Sequence, residues 1–528
     1  MSQNTTNSCS TLFTLTLALI ATGLTLLALV ELLHYRTVSR ALAYALAAGA
    51  ALTVALLFGR ATPALETATL PRRLRLVAIP MSAAVLAAAA IAHRADGWDE
   101  SQYILGGLAI RGYQVPTFPY RPPVTSWLCA AFADLPWLQQ PLLLAILLFI
   151  VYRWLRASTT ELVAALAPFL LLSQNLLLEA SLDITSELPA AVFLTAGFYA
   201  LSRRRVFLAG LLLGLSAFTR WQLLSILAVT VLLAYRRFGP RLLAYFLVTG
   251  TGLILVWCIS TTALSRSNPF VEVYQYFLSA AAWAASPEQI VNFFTRAEFY
   301  LKHFFFLTPV ILFGLIINLH FFSRRHLDDK QYVEVVLLPA GYVVYLITLL
   351  FIGGLLPRFV TPLFPGALVG LLCGGSRLLA ECPFTPTVKV RIAATSFVLI
   401  FSFSVWPLYS AVLLKTSLAY RPVFSPSMRQ ALLQLPRDAD VKALALRPLS
   451  THLGQPAMVE ARRTIVFPIS KRGKDILIED DDSQECVLRL LKSSQPGDFL
   501  LIPQKYQFLF KTEFVLFADH AWALVRRP

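Results

Sequence analysis

Gly97-Trp98-Asp99-Glu100-Ser101-Gln102-Tyr103-Ile104-Leu105-Gly106-Gly107, continued by Tyr120-Arg121-Pro122-Pro123, is the stretch on which the reading of this chain turns. Two adjacent carboxylates sit just past a long apolar run, in a segment rich in aromatics, glycine and proline. Outward from it, the 528 residues are 57% hydrophobic and only 14% charged, with a mean hydropathy of +0.66. Ordinary soluble domains carry about 25% charged residues, so the composition describes a polytopic membrane protein. The formal charge of +16 then reads as the Lys/Arg bias of cytoplasmic loops and not as a nucleic-acid footprint. The six cysteines, Cys9, Cys129, Cys258, Cys373, Cys382 and Cys486, form no CxxC pair; neither a zinc site nor a disulfide framework is indicated.

A membrane-spanning helix needs about 20 apolar residues. Candidate runs lie near 11–33, 41–58, 74–93, 138–154, 161–178, 187–202, 206–219, 222–235, 241–262, 303–322, 331–353, 359–379 and 392–412. That makes about 13 transmembrane helices, several of them short for a span. The pair 206–219 and 222–235 meets at Thr219-Arg220-Trp221-Gln222 and also reads as one broken helix. The first run is too long for a signal-peptide core and lacks a cleavage site, so it reads as a retained helix.

Orientation follows from the basic residues. With the N-terminus inside, Arg72, Arg73 and Arg75, Arg203 to Arg205, Arg236 and Arg237, and Arg324 and Arg325 all fall on inner loops. Few basic residues fall on the short outer turns, which places the Asp99 segment outside. Also outside are the turn Ser181–Glu187, the segment 263–302 and Leu356-Pro357-Arg358-Phe359. The expected organisation is an N-terminal transmembrane hairpin (1–60), a helical core (61–412) with outer loops 94–137 and 263–302, and an outer domain (413–528). In that last part Val441–Leu446, Phe499–Ile502 and Phe514–Phe517 read as strands and Val487–Leu491 as a helix, making a small α/β domain.

The outer loop 94–137 is broken by Pro116, Pro119, Pro122 and Pro123. Its rings Phe118, Tyr120, Trp127, Phe132 and Trp137 suit the headgroup level. A half-embedded loop would hold Asp99 and Glu100 in a cleft of lowered dielectric, where burial raises a carboxylate's pKa and a nearby cation keeps it ionised.

The pattern Asp99-Glu100, Tyr103, Gly107, Pro122-Pro123 resembles the first outer loop of the membrane-embedded GT-C glycosyltransferases. The nearest branch is that of the protein O-mannosyltransferases and the bacterial aminoarabinose and related lipid-linked-sugar transferases. Leu182-Asp183 before Pro189-Ala190-Ala191-Val192-Phe193 is similar to that family's acidic second turn. The glycine-spaced run Ala209–Arg220 resembles its helix ending in a basic residue. Pro357-Arg358-Phe359 with Pro362 and Pro365 resembles its late Arg-aromatic-Pro motif. Two departures stand out: Arg121 replaces the His that many members carry before the Pro-Pro pair, and two helices precede the usual first one.

The resemblance implies an inverting transfer of a sugar from a polyprenyl-phosphate donor to a protein, lipid or glycan acceptor, at the outward face of the cell membrane. It assigns Asp99 as general base, with Glu100 and Asp183 beside it. Arg358 and Arg220, then Lys302 and His303, with Tyr103 and Arg121, are the candidates for the lipid phosphate and donor. Arginine suits that task because its planar fork binds phosphate oxygens in pairs and stays charged. No metal ligand set is assigned, although assistance by a divalent cation is left open. Simpler roles compete: Glu100 as a capping or supporting group, Asp183 as the N-cap of the next helix, Arg358 and Arg220 as snorkelling residues, Gly210 and Gly214 as a packing face. A transporter or flippase of lipid-linked sugars is the alternative class, though transport sites sit near the midplane on interrupted helices. A non-catalytic cell-envelope assembly subunit is a third reading.

Overall fold

The computed structural model describes residues 98–265, 327–383 and 423–528, apart from 117–120, 133–135, 173, 183, 266–267, 353–356, 437–438, 445–454 and 467–483, with scattered positions between 268 and 298. The expected spans 11–33, 41–58, 74–93, 303–322 and 392–412 lie outside the described residues, as do most of the segment 263–302 and the acidic run Glu479–Asp482.

Among the described residues, five helices are long and apolar enough to cross a membrane, and Glu187–Ser202 and Val206–Thr219 are shorter apolar helices. The loop 94–137 is more ordered than its prolines suggest. It contains helix α1 (Trp98–Ile110) and helix α2 (Pro123–Ala131), the second starting on the proline that the first helical position tolerates. Then follow α3 (Pro136–Ser158), α4 (Glu161–Leu172), α5 (Asn175–Leu182), α6 (Glu187–Ser202), α7 (Val206–Thr219), α8 (Leu224–Phe238) and α9 (Pro240–Ser265). The expected run 161–178 is therefore two helices, α4 and α5. A helical stretch Asp329–Tyr332 leads through a π-helical turn, Val333–Leu337, into α10 (Leu338–Ile352). A 3-10 segment, Pro357–Leu363, precedes α11 (Phe364–Glu381).

The helices bury one continuous apolar core that includes Leu147, Phe198, Leu213, Tyr345 and Phe364. Close approach is set by glycine. A Cβ on Gly210 would come 3.2 Å from Thr249 Oγ1, and one on Gly214 would come 2.9 Å from Leu253 Cδ1, so this face of α7 admits α9. The packing role expected for both glycines is the observed one. A Cβ on Gly107 would meet Cys129 Cβ at 2.7 Å and the Ala130 backbone N at 2.8 Å, which seats α1 directly on α2. Gly107→Ala is expected to cost about 1–3 kcal/mol by overpacking. Thermal unfolding of the detergent-solubilised protein reads this, and an unchanged midpoint would mean α1 and α2 do not touch there.

At the end of the bundle remote from Asp99, Glu334 is fully buried in the π-turn. It accepts hydrogen bonds from Trp154 Nε1 (2.9 Å) and Ser158 Oγ (2.8 Å) on α3, and from Arg377 Nη2 (2.5 Å) on α11. One carboxylate thus braces three segments. Because removing one partner of a buried pair strands the other charge, Glu334→Gln is expected to cost about 2–4 kcal/mol. A Glu334→Gln/Arg377→Leu double variant as unstable as the single one would contradict that account.

The C-terminal part is a small α/β domain. Helices α12 (Pro426–Gln434), α13 (Gln455–Ala461) and α14 (Gln484–Ser493) accompany strands β1 (Val441–Ala443), β2 (Ile465–Val466), β3 (Phe499–Pro503), β4 (Val515–Ala518) and β5 (Trp522–Arg526). The sheet order is β2-β1-β3-β5-β4; β1 runs parallel to β2 and β3, and β5 antiparallel to β3 and β4. This domain sits on α1. Tyr103, Leu105 and Leu108 share one buried cluster with Val487, Leu501 and Leu524. Thr464 donates to the Gln114 carbonyl from its backbone N–H (3.1 Å) and its hydroxyl (3.0 Å). Helix α1 is therefore held between α2 and the C-terminal domain.

Candidate functional site

Asp99 and Glu100 occupy the first turn of α1, where free N–H groups and the helix dipole favour negative charge. Their partners differ. Asp99 Oδ1 accepts from Arg121 Nη2 at 2.5 Å, and Asp99 Oδ2 is ion-paired with Arg358 Nη2. Glu100, 2% exposed, accepts from the Ile184 backbone N–H at 3.2 Å and so ties α1 to the turn before α6. The two adjacent carboxylates thus point to different neighbours, one to cations and one to the scaffold.

Arg121 leads into α2, just ahead of Pro122-Pro123. Its Nε donates to Gln102 Oε1 at 2.6 Å, and its Cζ lies 5.9 Å from the Tyr103 ring centroid. Arg220 stands at the break between α7 and the 3-10 turn Trp221–Leu223, in extended backbone (φ −149°, ψ 117°). That break turns the side chain inward: Arg220 is 5% exposed, with Nη1 2.6 Å from Glu187 Oε1 and 3.1 Å from Ser186 Oγ. Arg358 and Phe359 follow one another in the 3-10 segment. Arg358 Nε lies 3.4 Å from Glu187 Oε1, while the Phe359 ring lies 4.6 Å from Arg220 Cζ. Tyr345 fixes that segment by donating to the Phe359 carbonyl at 2.8 Å.

The result is one alternating chain of charges, Arg121–Asp99–Arg358–Glu187–Arg220, with three guanidiniums to two carboxylates. Its two ends differ in access. The Asp99, Arg121 and Arg358 side chains are 28%, 27% and 27% exposed, whereas Arg220 and Glu187 are 5% and 3% exposed. Burial pushes the Asp99 carboxyl up, but the neighbouring Arg121 and Arg358 charges and the Arg121 hydrogen bond outweigh it and hold the group below the usual carboxylate value. The Nε atoms of Arg220 and Arg358 are buried and lack a hydrogen-bond acceptor among the described residues. The cluster carries one more guanidinium than carboxylates.

The same cluster bears on a divalent cation. The Asp99 oxygens and Glu187 Oε1 already face guanidiniums, and among the described residues no group of three or more His, Cys, Asp or Glu is placed to hold a metal ion.

Of the residues expected at the site, Asp99, Arg121, Arg220 and Arg358 come together, with Tyr103 beneath Arg121 and Glu100 one residue away. Asp183, Lys302 and His303 lie outside the described residues. The N-cap position of α6 is Ser186. Glu187 was not among the expected site residues. Its signal is a carboxylate opening an otherwise apolar helix, a placement that is costly without a partner or a use.

No protein-family model matches the chain, and no curated protein matches it. Among solved structures, it is similar to ArnT from Cupriavidus metallidurans in the apo state (TM-score 0.55) and with undecaprenyl phosphate bound (TM-score 0.52). In both, identity is 12%, and the match covers 85% of this chain and 97% of ArnT. A looser likeness, TM-score 0.41 at 12% identity, is to the oligosaccharyltransferase of Archaeoglobus fulgidus, covering 80% of this chain and 70% of that one. The chain shares the fold of ArnT.

Proposed function

We propose that this chain is a glycosyltransferase of GT-C type, moving a sugar from a polyprenyl-phosphate carrier to an acceptor hydroxyl at the outward face of the membrane. The observation that carries the reading is the partly open guanidinium pair Arg121 and Arg358 gripping the Asp99 carboxylate, in a fold shared with a protein solved with undecaprenyl phosphate. The reaction balances as a single displacement. The acceptor oxygen bonds to the anomeric carbon, the bond from that carbon to the phosphate oxygen breaks with its electron pair leaving on phosphate, and the acceptor proton passes to Asp99. Positioned base catalysis contributes about 10²–10⁴-fold.

Growing charge on the departing phosphate needs fixed donors aimed at it. Arg358 and Arg121 supply them, with Arg220 behind. Glu187 lies between Arg358 and Arg220, and Glu100 keeps α1 fastened to the Ile184 turn. The Lys/Arg bias of the loops supports an outward orientation for this end of the bundle.

The test is purified full-length protein in lipid nanodiscs, offered a panel of radiolabelled polyprenyl-phosphate sugars with membrane and glycan acceptors. Release of free polyprenyl phosphate with label on an acceptor is expected. Translocation of the intact lipid-linked sugar in vesicles, with no transfer from any donor, would move the chain to the transporter class.

A further inference from the structure

We propose that Asp99 is a masked base: Arg121 and Arg358 occupy its two oxygens at rest, and the lipid phosphate unmasks it by drawing those two guanidiniums away. The proposal rests on the lipid-phosphate reading above and adds an order to it, donor before acceptor.

The geometry carries this in three steps. First, both oxygens of Asp99 are engaged, Oδ1 by Arg121 at 2.5 Å and Oδ2 by Arg358. An acceptor hydroxyl that approaches this carboxylate meets guanidinium on both sides, and a base held by two cations is a weak proton acceptor. Second, each arginine reaches Asp99 with an outer nitrogen while its Nε faces a different group. Arg121 Nε donates to Gln102 at 2.6 Å, and Arg358 Nε lies 3.4 Å from Glu187. Both outer nitrogens can therefore swing between a carboxylate and a phosphate oxygen while Arg121 stays held by Gln102 and Arg358 stays beside Glu187. Third, this half of the charge chain is partly open, while the Glu187–Arg220 half is sealed. An anion entering the cluster meets Arg121, Asp99 and Arg358 first.

The groups facing Asp99 are Arg121 ahead of α2, Arg358 of the 3-10 segment and, further off, Arg220 at the end of α7. Glu187 sits behind Arg358 and Glu100 next to Asp99 in the chain. Asp99 and the lipid phosphate then compete for the same two cations. The competition prevents the base from acting before a donor is present, so the enzyme does not deprotonate a hydroxyl that has no sugar to accept.

Competition has a consequence that a base lying apart from the phosphate site lacks. Asp99→Asn removes the internal rival and is expected to tighten polyprenyl phosphate by about tenfold, equal to about 1.4 kcal/mol, while transfer is lost. Native mass spectrometry of the full-length protein in nanodiscs with polyprenyl phosphate reads the affinity. The tightening is expected to persist at about 0.5 M salt, where a diffuse field change is screened but a contact is not. Unchanged or weaker binding in Asp99→Asn, or tightening that vanishes in salt, overturns the masking. Arg358→Gln separates the two claims. If it leaves polyprenyl-phosphate affinity unchanged, the lipid-phosphate reading itself fails, whatever Asp99→Asn does. Should Asp99→Asn not fold, Arg121→Gln carries the test. Losing one of the two cations is expected to move the acid limb of the transfer rate to higher pH, and an unmoved limb overturns the proposal.

Discussion

Asp99→Asn lowers the transfer rate by about 10²–10⁴-fold, the range expected for loss of a positioned base. The amide keeps the size of the carboxyl and can still accept a hydrogen bond from a guanidinium, so α1 stays seated on α2 and on the C-terminal domain. The lost property is proton acceptance. Initial-rate measurements at saturating donor check this, with the loss expected in kcat and not in KM for the acceptor. A variant that retains wild-type kcat would remove Asp99 from the reaction. The wild-type pH profile gives a second readout. In the free enzyme Arg121 and Arg358 keep the Asp99 carboxyl below its ordinary value, so the base is ionised at neutral pH and kcat/KM falls only as pH drops through that lowered value. The same shift adds stability at neutral pH, which is lost as pH falls through the folded-state value.

Arg358→Gln is the second large effect, about 10²–10³-fold in kcat, the scale of removing one preorganised donor from a developing oxyanion. Arg358 touches both carboxylates of the cluster, Asp99 through Nη2 and Glu187 through Nε. Its removal therefore costs charge at the phosphate and leaves Asp99 with Arg121 alone. Arg358→Lys is expected to recover only part of the rate, because a point charge on a flexible stem cannot span both partners as a planar fork does. Equal activity of the Lys and wild-type proteins would reduce Arg358 to a source of positive potential. Single-turnover kinetics with a defined polyprenyl-phosphate sugar separates a loss in chemistry from a loss in donor binding.

How much of this was legible beforehand varies by element. The strands near Val441, Phe499 and Val515 and the helix around Val487–Leu491 were readable, because alternation and apolar runs are local properties of the chain. Strand β2, Ile465–Val466, is too short to leave such a pattern. The helices α1 and α2 were hidden by the prolines between them, which break a long helix but permit two short ones. The hinge at Arg220 was visible as a polar interruption between apolar runs, yet its direction was not. Glu187 was passed over because a carboxylate at a helix start has a sufficient local explanation; its partner Arg220 lies on another helix.

By itself, the sequence determined that this chain is a set of apolar helices with a small α/β domain at its C-terminal end. It also placed Asp99 and Arg121 in one loop between apolar runs, and Arg220 and Arg358 where such a run breaks or begins. Those features follow from composition and short-range periodicity, which need no knowledge of neighbours. The tertiary structure alone decided who pairs with whom. Asp99 meets Arg121 across 22 positions and Arg358 across 259, and Glu100, one residue on, faces the scaffold instead. The physical reason is that a buried charge is stable only opposite its counter-charge. Which counter-charge that is depends on how glycines such as Gly107 and Gly214 let the helices approach, a property of packed surfaces that no stretch of sequence carries alone.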